Sequence, residues 1–145
     1  MNLLRAIAEI GRLTDTRITA LSSFYDTQPV GPVNQDNFLN ATLKLETPLS
    51  PHQLLDELQR IETAVFKRVR TVHWGPRPID LDILFYGDLV LTEEELTIPH
   101  PRLHERGFVL VPLAEIAPEF IHPVLHGSVS ELLATLKTNE RVTLA

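Results

Sequence analysis

Apolar residues at Leu3, Ile7, Ile10 and Leu13 recur every three or four positions, a spacing that predicts an amphipathic helix over residues 3 to 13. RITALSSFYD, residues 17 to 26, reads as a strand, and TQPVGPVNQDN, residues 27 to 37, as an ordered loop dense in Pro, Gly, Asn and Asp. In FLNATLKLET (38 to 47), Leu39, Ala41, Leu43 and Leu45 alternate with Phe38, Asn40, Thr42 and Lys44, the period of a half-buried strand. Ser50-Pro51-His52-Gln53 announces a second helix, with Ser50 as N-cap, Pro51 at the first helical position and Gln53 placed for a capping box. Leu54, Leu55, Leu58, Ile61 and Val65 form its apolar face.

Residues 67 to 79 read as a loop of the length used for binding loops and lids. A strand is predicted over 80 to 86, with Leu81, Ile83 and Phe85 on one face, followed by a turn at Gly87-Asp88. LTIPHPRLHERGF (96 to 108) leads to a short helix over 109 to 116, and Ser128-x-x-Glu131 caps a final helix reaching about Lys137. There is no repeat and no internal boundary, so residues 1–145 are expected to form a single domain. Helices and strands mix without a βαβ rhythm, which favours an α+β sandwich, a mainly antiparallel sheet flanked by helices.

Composition narrows the chemistry. The chain has no cysteine, which excludes disulfides, thiolate catalysis and cysteine-bound metals and fits a cytoplasmic location. Its apolar segments are short, so neither a membrane span nor a signal peptide is expected. With 13 Lys and Arg against 19 Asp and Glu, the net charge is −6, and a general attraction to nucleic acid or to a membrane surface is not expected. An anionic ligand must be met by a local cluster of cations.

That cluster stands beside a pair of carboxylates. In a strand, residues two apart share a face, so Asp80 and Asp82 lie on one side, about 7 Å apart at Cα. Such a pair suits Mg²⁺, which takes one or two carboxylates together with substrate phosphates; the alternative is a solvated pair bonded to surface arginines. Directly before it come Lys67, Arg68, Arg70, His73 and Arg77, with no acidic residue between positions 63 and 79. Phosphates bridging basic loop and metal account for both features, whereas charge runs in general are solvated. Trp74, the only tryptophan, sits beside Gly-Pro either against a ligand or over a core edge. His100, Arg102, His104 and Arg106 form a second basic patch. A zinc pair at His100 and His104 requires a helix there, which Pro101 prevents from running through His100, so phosphate contacts by His100 and Arg106 are preferred.

Arg68-Val-Arg70 followed by HWGPRPIDLDIL (73 to 84) closely resembles 6-hydroxymethyl-7,8-dihydropterin pyrophosphokinase of folate biosynthesis. SSFYDTQPVGP, FLNA, QRIE and IPHPRLHERGFVLVPLAEIAPE extend the resemblance over roughly positions 17 to 123. It implies a ferredoxin-like α+β sandwich, and transfer of pyrophosphate from ATP to the pterin hydroxymethyl oxygen with release of AMP. It further implies two Mg²⁺ ions held by Asp80 and Asp82, and catalytic cations at Arg68, Arg70 and Arg77. Gln59, Glu62, Trp74, Ile83, Thr97, His100 and Arg106 are expected around ATP. Thr27 and Val30 through their main chain, Asn40 through its amide, and Phe38 and Phe108 as a sandwich are expected to hold the pterin. Independently, Phe38 and Asn40 share the strand face opposite Leu39 and Ala41, where a flat heterocycle can reach both; core packing is the other reading of Phe38 and Phe108. No P-loop is present and no nucleophilic side chain is required.

The family begins with a short apolar strand ending in Gly-Ser-Asn, whereas this sequence starts at Met1 almost directly in LLRAIAEI. Two expectations follow: the sequence is an N-terminally shortened version, or another segment or a second subunit fills the gap, the latter by self-association in a family otherwise monomeric. Lys67 replaces a common Gly, and Glu95 stands where a basic nucleotide contact occurs. Two other functions compete: a metal-dependent nucleotide or phosphodiester hydrolase, which leaves Phe38, Asn40 and Phe108 unexplained, and a non-catalytic nucleotide-binding protein.

Overall fold

The computed structural model describes residues 2–28, 38–69, 79–138 and 140–145, with 66–69 described by backbone alone. Its architecture is α+β, and every strand pair among the described residues is antiparallel. Helix α1 (Asn2–Gly11) turns Ala6 and Ile10 inward and packs on α2 (Pro51–Val69). The capping box expected at α2 forms: Gln53 N donates to Ser50 Oγ at 3.2 Å, and Ser50 N donates to Gln53 Oε1 at 2.9 Å. Leu54, Leu58, Ile61 and Val65 are buried along its inner face, with Leu55 half-buried beside them.

The two long strands expected from periodicity are each broken. Residues 17 to 26 divide into β1 (Arg17–Leu21) and β2 (Tyr25–Gln28), and 38 to 47 into β3 (Phe38–Asn40) and β4 (Leu43–Glu46). β1 pairs with β4, and β2 with β3, so the breaks face each other across the ribbon. The cause is Ser22. Its amide donates to Thr42 O at 2.9 Å, but Thr42 N donates to Ser22 Oγ at 2.9 Å, not to a backbone carbonyl. A side chain thus takes the place of one rung, and the ladder cannot continue through it. β2 also pairs with a carboxy-terminal strand not anticipated from sequence, β7 (Arg141–Leu144), giving the order β3-β2-β7. A small hairpin, β5 (Leu91–Thr92) with β6 (Thr97–Ile98), was likewise not expected.

Two further expectations are corrected. The loop placed over 67 to 79 begins later, because α2 continues through Val69. The strand placed over 80 to 86 is not part of any ladder among the described residues. Its backbone is occupied otherwise: Leu81 N donates to Glu62 Oε2 at 2.8 Å, and Leu84 O accepts from His100 N at 2.9 Å. Ile79, Leu81 and Ile83 join the core under α1 and α2, whereas Phe85, expected on their face, joins Leu84 in a second cluster with Leu103, Leu110, Leu113 and Val129. The segment therefore ties two cores together. The turn at Gly87-Asp88 forms, with Gly87 at φ +56, a left-handed conformation that glycine adopts without strain.

A 3₁₀ turn (Leu103–Glu105) precedes α3 (Gly107–Ile116), which packs against β2, β3, β4 and β7. Helix α4 (Val129–Thr135) starts at the expected capping box of Ser128 and Glu131 and ends slightly before the anticipated Lys137.

Candidate active site

Alternating burial, the sequence feature with most consequence, is present at 79 to 83: Ile79 and Ile83 are buried, Leu81 is half-buried, and Asp80 and Asp82 are exposed between them. The core grips every second residue and pushes the intervening carboxylates outward. Glu62 on α2 fixes the backbone between the two aspartates through its bond to Leu81 N. His100 is tied to the same segment by the hydrogen bond from its backbone N to Leu84 O.

The His100 ring lies in the field of three charged groups. Burial lowers its pKa, Asp82 opposes that shift, and Arg106 and Arg102 reinforce it. Burial and the two arginines thus favour the neutral form of the ring. Its Nδ1 accepts from Arg102 N at 3.3 Å, which leaves the proton on Nε2 as a donor. Arg106 carries its guanidinium carbon 5.6 Å from the centre of the Phe108 ring, so a cation stands beside an aromatic face at the start of α3.

A second group of side chains sits on β2 and β3. Thr27 is opposite Phe38 in register, and Asn40 Nδ2 donates to Thr27 Oγ1 at 2.9 Å. Thr27 is buried, Asn40 half-buried, and Phe38 is 49% exposed, which removes plain core packing as the account of Phe38. Phe108, on the helix packed beside these strands, is half-buried.

The remaining positions divide as follows. Gln59 is exposed on α2, lining a shallow cavity of about 410 Å³ with Asp56, Arg60, Thr63 and Ala64. Thr97 opens β6, its hydroxyl donating to Glu93 O at 3.1 Å, and Ile83 belongs to the core. Val30, Arg70, His73, Trp74 and Arg77, and the side chains of Lys67 and Arg68, lie outside the described residues. Among the described residues, His100 and His104 gather no third metal ligand.

The chain matches the family model for 7,8-dihydro-6-hydroxymethylpterin-pyrophosphokinase over residues 1–118. It belongs to that family. A relative from Haemophilus influenzae, 2-amino-4-hydroxy-6-hydroxymethyldihydropteridine pyrophosphokinase, is 50% identical over 118 residues, covering 81% of this chain and 73% of the relative. Proteins of the same name from Synechocystis sp. and Pseudomonas aeruginosa are 43% and 44% identical. The first match covers 91% of this chain and 67% of that protein, the second 81% and 72%. Among the described residues, no helix is long and apolar enough to cross a membrane.

One network was not legible beforehand. Glu115 on α3 accepts from Tyr25 OH at 2.5 Å, from Ser23 N at 2.8 Å and from Ser23 Oγ at 3.1 Å. These bonds hold the carboxylate pKa down and push the Tyr25 phenol up, the Tyr25–Glu115 bond being the main cause in both. They tie the helix bearing Phe108 to the strand bearing Thr27. The partners are 90 residues apart in sequence, and no local pattern announces them.

Proposed function

We propose that this chain transfers pyrophosphate from ATP to the hydroxymethyl group of 6-hydroxymethyl-7,8-dihydropterin, releasing AMP, a step of folate biosynthesis. The observation that carries this reading is the interleaving at 79 to 83, which leaves Asp80 and Asp82 exposed, with Asp82 and Arg106 both within electrostatic reach of His100.

Two exposed carboxylates are hard oxygen donors and fit Mg²⁺, so Asp80 and Asp82 are the residues to hold it with the ATP phosphates. Bound there, Mg²⁺ supplies neutralisation of triphosphate charge. The chain's own groups do the rest. His100 offers Nε2–H to a phosphate oxygen, and Arg106 brings a fixed positive charge to the border between phosphates and ring. Phe38 and Phe108 offer faces to the pterin, while Asn40, oriented by Thr27, reads its polar edge. The substrate hydroxyl oxygen attacks the β-phosphorus, the bond from that phosphorus to the α–β bridging oxygen breaks, AMP leaves, and the hydroxyl proton passes to solvent. Positioning and electrostatics suffice, without a nucleophilic side chain. Arg68, Arg70, Arg77 and Trp74 complete the set in this proposal, with Gln59, Glu62, Ile83 and Thr97 bordering the nucleotide and Thr27 and Val30 the pterin.

The test is product identity. The purified chain is incubated with ATP, Mg²⁺ and the hydroxymethyl dihydropterin. AMP together with pterin pyrophosphate is the expected outcome. Phosphate release without pterin points instead to a hydrolase, and nucleotide binding without any product to a non-catalytic protein.

A further inference from the structure

His52, Glu93 and Glu95 form a cluster separate from the acidic pair, with one ligand atom from each lying within 4.8 Å of the others. We propose that these three side chains bind a divalent transition-metal ion, zinc by preference.

The ligands are held by well-anchored backbone. His52 belongs to the first turn of α2, which is locked by the Ser50–Gln53 capping box and by buried Leu54. Glu93 opens the tight turn of the β5–β6 hairpin and Glu95 lies within it, the turn being closed by Glu93 N donating to Leu96 O at 3.0 Å and anchored by buried Leu96. Ligands on a tetrahedral zinc are about 3.3–3.5 Å apart, given bond lengths of about 2.0–2.2 Å, so side-chain rotation of about 1 Å closes the cage. An imidazole nitrogen with two carboxylate oxygens selects zinc over magnesium, which prefers oxygen ligands and water.

Charge favours the same occupant. In the metal-bound form two carboxylates and a neutral imidazole sum to −2, which one dication cancels; with no ion bound, Glu93, helped by Glu95 and Asp56, raises the His52 pKa and favours the imidazolium. Without metal, the cluster is held by the close contact of His52 Nε2 with Glu93 Oε1, 2.6 Å apart. The ion takes the place of the proton between them, so metal and proton compete and affinity falls on acidification. The fourth coordination position faces solvent, His52 and Glu95 being exposed. The site clips the start of α2 to the hairpin that carries Thr97.

The experiment titrates zinc alone, and separately cobalt(II) as a visible-absorption probe of coordination, into the full chain without nucleotide or magnesium. One site is expected. His52→Ala and Glu95→Gln should each weaken it at least tenfold, while the double variant Asp80→Asn with Asp82→Asn leaves it unchanged. His52 and Glu95 are surface residues, so metal-free melting temperatures of their variants should match the unsubstituted chain. Undiminished binding by both His52→Ala and Glu95→Gln overturns the proposal. So does no binding by the unsubstituted chain, or binding lost only in the Asp80/Asp82 variant. The readout needs no turnover, so it stands or fails independently of the pyrophosphokinase reading.

Discussion

The carboxylate of Glu62 lies 2.8 Å from the amide of Leu81, the residue between the two exposed aspartates. One helix side chain thus sets the path of the backbone that aims both. Glu62→Ala should lower kcat/KM by about 10- to 100-fold, the equivalent of one hydrogen bond to a charged group at about 1.5–3 kcal/mol. Glu62→Gln keeps an acceptor and should lose less. Steady-state kinetics with thermal melts of both variants will show whether the loss tracks the bond or general unfolding.

Asp82→Ala removes an exposed carboxylate whose neighbours, not itself, are packed. Stability should change by less than about 0.5 kcal/mol in denaturant titrations, while turnover should fall by about 10²–10³. A variant that unfolds but keeps its activity per folded molecule contradicts the metal role.

Phe38 is half in solvent, so its truncation leaves little cavity. Phe38→Ala should raise KM for the pterin with KM for ATP nearly unchanged, and the melting temperature should move little. Equal effects on both substrates would argue against a ring-stacking role.

Ser22 is 4% exposed, and its Oγ satisfies Thr42 N while donating to Ser23 O at 2.7 Å. Ser22→Ala leaves a part-buried amide without that acceptor, at a cost of about 1–3 kcal/mol. Equilibrium urea unfolding measures it directly; a change near zero would mean that the ribbon re-forms a backbone rung.

His122 is buried, and its Nδ1 accepts from Val124 N at 3.1 Å and Leu125 N at 3.0 Å. Only a ring with that nitrogen unprotonated makes these bonds. Its pKa is lowered by burial, then by His104 and His126. The unfolded chain therefore binds the proton more readily than the folded one, and stability rises with pH through this window. The contribution is present above the unfolded value of about 6.5 and is lost as pH falls through the lower folded value. Unfolding curves at pH 7.5 and 5.5 should differ, and His122→Asn, which keeps an acceptor but does not titrate, should flatten that difference.

What was legible in the sequence is what local chemistry decides. The starts of α2 and α4 were marked by Ser50–Gln53 and Ser128–Glu131, each pair closing its own capping box. The in–out alternation around Asp80 and Asp82 was equally readable, because burial follows period two whether or not a ladder forms. What escaped depends on distant partners. Periodicity runs unbroken through Ser22 and Thr42, and only their mutual bonding breaks the strands. β5 and β6 are two residues each, too short to make a pattern, and RVTL of β7 becomes a strand by pairing with β2. In the candidate site, residue types pointed to phosphate and pterin, but Glu62 holding Leu81 and Glu115 holding Tyr25 are products of the fold.

Because core and acidic residues alternate singly from Ile79 to Ile83, this stretch has no spare length. Losing or gaining one residue there would swing both carboxylates into hydrocarbon and throw the isoleucines into water. Natural variation should therefore reach this segment as substitutions and spare it insertions and deletions, with changes of length absorbed elsewhere in the chain.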